Sequence, residues 1–169
     1  MECVTLVFEL ATEADAGALA ALHSAVAGHL TREFGNGHWS SSASEAGVAR
    51  GIRASRVLVA RDAIGIAATL RLATKKPWAI DVKYFRPSKK PLYLLDMAVR
   101  PSSQRSGIGR QLVQQARLLA QGLHADVIRL DAYDASAGAG GFYAKCGFIE
   151  VGRATYRDVP LIYYELWLA

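Results

Sequence analysis

Residues 99–110 read VRPSSQRSGIGR, and this stretch separates an apolar segment from an amphipathic one. Residues 92–99 are nearly all apolar apart from Asp96, which predicts a central strand covered on both faces. From Ile108 to Leu123 the apolar residues recur at helical spacing, which predicts a helix that ends near Gly122. The stretch is therefore expected to be a glycine-containing turn that joins a buried strand to a helix.

The two glycines of this turn, Gly107 and Gly109, are suited to phosphate binding. Glycine lets the backbone turn sharply and approach a ligand, and the first turn of a helix presents unpaired N–H groups and a positive dipole end. The spacing Gln-x-x-Gly-x-Gly is neither a nucleotide P-loop nor a dinucleotide-binding turn. A Gly-x-Gly pair is also typical of a helix that opens tightly against a sheet. The surrounding sequence must decide between these two interpretations.

The rest of the chain alternates segments with strand and helix patterns, which predicts an α/β (α+β) fold. Strands are predicted at residues 4–10, 56–60, 64–73, 92–99, 127–133, 148–154 and 161–168, the second and third forming an antiparallel hairpin. Helices are predicted from a capping Thr12 to Leu30, and at residues 46–55, 108–122 and 142–145. Residues 74–91 hold three prolines between aromatic residues, which favours a structured loop with at most one short strand, a candidate to face the substrate.

Composition narrows the class of protein. The chain has 169 residues, the length of one compact domain, so a single domain over residues 1–169 is expected. No segment resembles a signal peptide or a membrane helix, which predicts a cytoplasmic protein without a membrane partner. The formal charge of +5 comes from scattered Lys and Arg, a pattern that argues against nucleic-acid binding but suits a polyanionic ligand. The two cysteines lack the spacing of a metal site, so no metal is expected.

In this context the chain resembles the GNAT acetyltransferase superfamily. The family's central motif is an apolar strand, a Val-x-Pro step, Gln/Arg-x-x-Gly-x-Gly/Ala and a helix, which Val99, Pro101 and residues 104–109 match. Its second motif, Phe-Tyr-x-x-x-Gly-Phe, matches residues 142–148. The resemblance is tightest over residues 92–148 and looser outside them. It implies a GNAT fold, with a mixed sheet of about six to seven strands, about four helices and a splayed central strand that forms an acyl-CoA cleft.

The resemblance also implies acetyl-CoA as the cosubstrate and points to the residues that bind it. The pantetheine arm is expected to pair with Met97 and Val99 like an added strand, and an N–H near Met97 or Ala98 to polarise the thioester carbonyl. The CoA pyrophosphate is expected on the turn, at Gln104, Arg105, Ser106, Gly107, Ile108, Gly109 and Arg110.

The second motif extends this cosubstrate site to Phe142 and Tyr143. Asp134 is counted with them because family members commonly carry Asn at this position, after the fifth strand. The change from Asn to Asp leaves open whether this side chain holds the pantetheine arm or an ordered water.

The implied reaction is direct attack of an amine on the thioester through a tetrahedral intermediate. An alkyl amine is protonated at neutral pH, so a base or a water chain must remove a proton. Asp96 is the first candidate for that base, and the alternative is a buried acid paired with backbone or with an Arg. Asp81 and Asp134 are reserve candidates, more typical of turn acids. The family places Tyr143 as proton donor to the leaving thiolate, whereas packing with neighbouring aromatic residues is the simpler alternative.

The sequence leaves the acceptor undefined beyond a small-molecule or peptide amine. His23, His29, His38, Trp39 and Trp78 lie in regions where the family forms its acceptor pocket, although each is more typical of a structural or surface position than of a functional one. The alternative function is an acyl-CoA-binding sensor or scaffold without turnover. Residues 161–168 are apolar and aromatic. If this strand lies at an exposed sheet edge, a homodimer is predicted, whereas packing of the strand within its own sheet explains the apolar run equally well.

Overall fold

The computed structural model describes residues 5–169, and within them the chain forms seven β-strands and four α-helices. The strands are β1 (Val7–Leu10), β2 (Arg56–Arg61), β3 (Ile66–Ala73), β4 (Pro91–Val99), β5 (Val127–Tyr133), β6 (Ile149–Tyr156) and β7 (Val159–Trp167). The helices are α1 (Ala16–Phe34), α2 (Glu45–Ala54), α3 (Ile108–Gly122) and α4 (Gly140–Lys145). Each predicted strand and helix is present, with ends shifted by a few residues; Val4 lies outside the described residues.

The described strands form one mixed sheet in the order β1-β2-β3-β4-β5-β7-β6. Neighbouring strands are antiparallel in the β1–β2, β2–β3, β5–β7 and β6–β7 pairs. β4 and β5 are parallel, with Pro91 opposite Val127 and Tyr93 opposite Arg129. The mixed α/β fold class is therefore confirmed, including the antiparallel β2–β3 hairpin.

The chain divides into two compact units. Unit 1 comprises the described residues up to Leu72 and Leu95–Ala116. Its α1 helix begins after a capping box in which the Thr12 N–H donates to the Asp15 carboxylate over 2.9 Å. Leu19 and Leu22 of α1 are buried in an apolar cluster with residues of β2, β3 and β4, among them Val59 at 0% exposure. The apolar stripe predicted for α1 therefore forms the core of this unit.

Unit 2 comprises Ala73–Leu94 and Arg117–Ala169. In it β7 lies between β5 and β6 and pairs with both strands. Of the two alternatives for residues 161–168, packing within its own sheet is confirmed and the exposed edge is wrong, because β7 pairs with a strand on each side. A homodimer stays a prediction but loses this support. The loop between β3 and β4 forms a short 3-10 helix, Val82–Tyr84. Residues 74–90 contain no strand.

Two structural features are absent from the described residues. None of their helices is long and apolar enough to cross a membrane. No group of three or more His, Cys, Asp or Glu within residues 5–169 is placed to hold a metal ion.

Candidate active site

The turn after β4 is held in place by its own hydrogen bonds. The Arg100 N–H donates to the Ala67 carbonyl of β3 over 2.8 Å, and residues Pro101–Ser103 form a short 3-10 helix. The Gln104 amide donates from Nε2 to the Val99 carbonyl over 3.1 Å, and the Ser106 hydroxyl donates to the Ser103 carbonyl. Gln104 and Ser106, both predicted to bind the cosubstrate, therefore shape the turn with their side chains.

A bidentate ion pair anchors the start of this turn. Both terminal nitrogens of the Arg100 guanidinium donate to Asp62, over 2.7 Å and 3.2 Å. Asp62 also accepts from the backbone N–H groups of Ile64 and Gly65. The guanidinium first, and these N–H groups second, lower the pKa of the Asp62 carboxyl to about 2. Neither Asp62 nor its pairing with Arg100 was predicted from the sequence.

This ion pair predicts a pH-dependent stability. The folded pKa of Asp62 lies below the ordinary Asp value of about 3.9, so its contribution is complete above about pH 4 and is lost as the pH falls towards 2. We expect Asp62→Asn to melt a few degrees below wild type at pH 7, and the two melting curves to converge near pH 2. Melting temperatures measured by circular dichroism from pH 7 to pH 2 check this. A difference that stays constant across that range contradicts it.

Exposed backbone and positive charge mark the start of α3. Gln104, Arg105, Ser106, Gly107 and Arg110 are exposed, whereas Ile108 and Gly109 are buried where the helix begins. Gly107 has φ +85°, a left-handed conformation that favours glycine, and its carbonyl accepts the first helical bond from the Gln111 N–H over 3.1 Å. The first N–H groups of a helix have no carbonyl partner within it. A helix start that follows the exposed residues 104–107 and has Arg105 and Arg110 nearby is therefore chemically suited to an anion.

The end of β4 presents the residues predicted to bind the pantetheine arm. Met97 and Val99 are half-buried, and Ala98 between them is buried at 4% exposure in the core of unit 1. Alternation of this kind places the Met97 and Val99 side chains on one face of β4 and Ala98 on the other. The splay of β4 and the acyl-CoA cleft stay predictions.

Asp96 departs from the apolar strand around it. Its side chain is 55% exposed, and Oδ2 accepts from Arg71 Nε over 2.5 Å. Its backbone has φ +52°, which is uncommon for a residue other than glycine and locally strains the strand. The predicted Arg partner is therefore present, but the expectation that β4 is covered on both faces is wrong at Asp96, because this strained residue turns its carboxylate outward.

Tyr143 lies on the short helix α4 of unit 2. Its ring is 7% exposed and packs against Phe142, Phe148 and Tyr164, at centroid distances of 5.3, 5.7 and 6.3 Å. Burial raises the pKa of the Tyr143 phenol, and the negative charge of Asp131 adds to the effect. The predicted aromatic packing is thus present. Like an ordinary tyrosine, the phenol is protonated at neutral pH, and the raised pKa makes it a weaker acid.

Asp134 follows β5 and is engaged by a basic side chain. Its carboxylate lies 3.4 Å from Arg153 Nη1, and its N–H donates to the Pro160 carbonyl over 3.0 Å. The turn after Asp134 folds closely onto β5, since a Cβ at Gly138 would lie 1.9 Å from the Tyr133 carbonyl oxygen. An amide at position 134 would form no ion pair with Arg153, so the change from the family's Asn to Asp alters what this side chain contacts.

The loop predicted to face the substrate lines an open groove of about 510 Å³ in unit 2. Trp78 in this groove is 81% exposed. Asp81 accepts from the Lys83 N–H over 3.0 Å and caps the 3-10 helix, so it serves as a turn acid. Further lining residues are Lys76, Ala79, Ile80, Val82, Tyr84, Ala154, Thr155, Tyr156 and Tyr163.

The remaining histidines and tryptophan named from the sequence lie in or near α1. His29 Nε2 is 3.3 Å from Glu33 on the next turn, a surface pair. His38 and Trp39 lie in the short 3-10 helix His38–Ser40, with Trp39 Nε1 donating to the Gly35 carbonyl over 3.0 Å. His23 is half-buried and interacts with the charges of Asp96 and Arg71. Arg71 was not predicted from the sequence, although a cation inside the apolar β3 segment was a signal for it.

Comparison with known proteins adds the family context. Residues 53–150, more than half of the chain, match a family model described as "Acetyltransferase (GNAT) domain". No curated protein sequence matches.

Three solved structures illustrate the likeness of fold. A ribosomal-protein-alanine N-acetyltransferase from Brucella melitensis is 18% identical, with 96% of this chain and 99% of that chain covered and a TM-score of 0.74. The ribosomal-protein-S18-alanine N-acetyltransferase from Escherichia coli is 16% identical, with 98% of this chain and 95% of that chain covered and a TM-score of 0.72. The yncA protein of Salmonella typhimurium, solved with its cofactor acetyl-CoA, is 15% identical, with 97% of this chain and 94% of that chain covered and a TM-score of 0.72.

Proposed function

Since the chain belongs to the GNAT acetyltransferase family, we propose that it transfers an acetyl group from acetyl-CoA to a primary amine. The observation that carries the proposal is the turn from Gln104 to Arg110, in which residues 104–107 are exposed immediately before α3 and Arg105 and Arg110 are both exposed. The family match spans this turn, and both the match and the chemistry of the turn support an acyl-CoA donor. The acceptor is a small-molecule or peptide amine.

The residues of the turn fit the charge and shape of the donor. Backbone N–H groups around Gly107 and Gly109 hold the pyrophosphate, and Arg105 and Arg110 add positive charge. Met97 and Val99 offer backbone groups to the pantetheine amides, and the N–H of Met97 or Ala98 polarises the carbonyl. Bound there, acetyl-CoA supplies the acetyl group as a reactive thioester.

Two side chains are proposed to act in the reaction. Tyr143 donates its phenolic proton to the leaving sulfur, the role that the Phe-Tyr-x-x-x-Gly-Phe motif at residues 142–148 implies. Asp96 acts on the amine side, where its exposed carboxylate attracts the acceptor ammonium. Phe142 packs against Tyr143 and supports its ring. A cytoplasmic location and the absence of nucleic-acid and membrane partners stay predictions.

Titration calorimetry with acetyl-CoA tests the donor site first. We expect micromolar-range binding to the wild type, and binding of acetyl-pantetheine, which lacks the pyrophosphate, to be weaker by at least about 10-fold, or about 1.4 kcal/mol. The reason is that the N–H groups and arginines of the turn have an anion to bind only in the complete cosubstrate. Equal affinity for both compounds, or no binding of acetyl-CoA, contradicts the proposed site.

A screen of amine acceptors then separates turnover from binding alone. CoA release is followed with a thiol reagent for polyamines, amine antibiotics and peptides with free N-termini, against a reaction without amine. Amine-dependent CoA release supports the transferase. Binding of acetyl-CoA without release for any amine contradicts it and favours the acyl-CoA sensor.

A further inference from the structure

The loop between β3 and β4 forms one wall of the groove in unit 2, and hydrogen bonds fix its path. The Tyr163 hydroxyl of β7 donates to the Ala79 carbonyl and accepts from the Asp81 N–H over 3.3 Å. The Lys76 ammonium donates to the Ile80 carbonyl over 2.7 Å. These bonds lie within unit 2, so this wall of the groove is formed by the protein itself.

Residues 154–156 of β6 form a second wall, and an aromatic ring joins it to the loop. The Tyr84 ring packs directly on the β6 backbone, where a Cβ at Gly152 would overlap with it. The same ring meets the edge of the Tyr163 ring at a centroid distance of 5.2 Å. The groove therefore has fixed walls, and its volume of about 510 Å³ is typical of a small-molecule site.

Large apolar side chains of the loop are exposed at this groove. Trp78 is 81%, Val82 48% and Tyr84 42% exposed, and all three line the groove. Apolar surface concentrated on one loop marks a binding surface, whereas single exposed apolar residues are ordinary. Aromatic rings attract other rings by offset or edge-to-face stacking. The groove is therefore suited to a ligand that contains an aromatic ring.

The charge around the groove favours one sign of ligand. Residues 74–91 contain five lysines and one arginine against a single acid, Asp81. Lys76 lines the groove, and the exposed Lys75 and Lys83 are adjacent in sequence to lining residues. The turn between β6 and β7 adds one charge of each sign. A surface with this excess of positive charge attracts an anion and disfavours a cation.

We propose that this groove binds a small molecule whose aromatic ring carries a carboxylate, with the ring on Trp78 and the carboxylate towards Lys76. An ammonium has three N–H donors. Within residues 5–169 the Lys76 ammonium donates to two carbonyls, so its third N–H can bond to the carboxylate. The inference goes beyond the proposed acetyl transfer, because it holds whether or not the bound molecule is acetylated. Among amines, aromatic amino acids belong to this class of ligand.

An NMR titration without acetyl-CoA tests the inference. The chain has three tryptophans, so a proton–nitrogen correlation spectrum contains three indole N–H signals, and Trp78→Phe identifies the signal of Trp78. The probe is phenylpropionate. We expect it to shift the Trp78 signal with a Kd of about 1 mM or lower and to leave the signal of Trp39, which lies in unit 1, unchanged.

Two further probes separate the ring from the charge. Phenylpropylamine keeps the ring and reverses the charge, and it should bind at least about 3-fold more weakly than phenylpropionate. Hexanoate keeps the carboxylate and lacks the ring, and it should bind at least about 5-fold more weakly. Phenylpropylamine or hexanoate binding as tightly as phenylpropionate overturns the inference, and so does a Trp78 signal that none of the three probes shifts.

Trp78→Ala and Ile64→Ala form a matched pair of variants. The two side chains are 81% and 85% exposed, so both variants should melt close to wild type, and Ile64 lies in unit 1. We expect Trp78→Ala to weaken phenylpropionate binding at least about 10-fold, measured from the backbone N–H signals of residues 79–84, and Ile64→Ala to bind like wild type. Equal affinity in the two variants overturns the inference. Failure of acetyl-CoA to bind would reject the proposed function but leave this titration unaffected, because the titration contains no acetyl-CoA.

Discussion

Gly107→Val is expected to weaken acetyl-CoA binding by roughly 10- to 100-fold, the equivalent of about 1.4 to 2.8 kcal/mol. Gly107 has φ +85°, a conformation that a β-branched residue can hold only with strain. A Cβ there meets nothing within 4 Å, so the variant has room for its side chain and the cost falls on the backbone path. The backbone conformation at Gly107 sets the direction of the N–H groups in the first turn of α3. Titration calorimetry with acetyl-CoA measures the loss.

The matched control for this variant is Gly35→Val. Gly35 ends α1 with φ +81° and likewise has nothing within 4 Å of a Cβ. Both variants place a β-branched residue at a positive φ, so both should lose stability, but only Gly107→Val should lose affinity for acetyl-CoA. Equal affinity in the two variants would mean that the turn does not hold the pyrophosphate.

Tyr143→Phe is expected to lower kcat roughly 100-fold while the Kd for acetyl-CoA stays within about 3-fold. The variant keeps the ring that packs against Phe142 and Phe148 and removes only the hydroxyl. Because burial raises the pKa of this phenol, wild type should keep its proton donor well into the alkaline range. Single-turnover assays with an amine from the acceptor screen, paired with calorimetry, separate the two quantities.

Tyr164→Phe is the control that distinguishes catalysis from packing. Tyr164 belongs to the same aromatic cluster, is buried, and loses the same atom in the variant. If Tyr143 has only a packing role, the two variants should have similar kcat values. A large loss confined to Tyr143→Phe supports proton donation, whereas wild-type turnover in Tyr143→Phe removes that role.

Much of the fold could be predicted because the signals were local. The capping pair Thr12 and Asp15, the apolar stripe of α1 and the glycine turn before α3 each depend on neighbours within a few residues. The position of β7 could not be predicted in this way. An apolar strand at the end of a chain is compatible with a sheet edge or with the interior, and only pairing with both β5 and β6 distinguishes them.

The family and the position of the turn before α3 could be predicted from local sequence, since a strand, a turn with glycines and a helix start are defined by consecutive residues. The contacts of the charged side chains are different, because their partners are far apart in the chain. Asp96 is 25 positions from Arg71 and Arg100 is 38 from Asp62, and each pair forms only because folding brings separate strands and turns together. Burial likewise raises the pKa of the Tyr143 phenol and lowers the pKa of the His23 imidazole, because desolvation depends on all the atoms packed around a group.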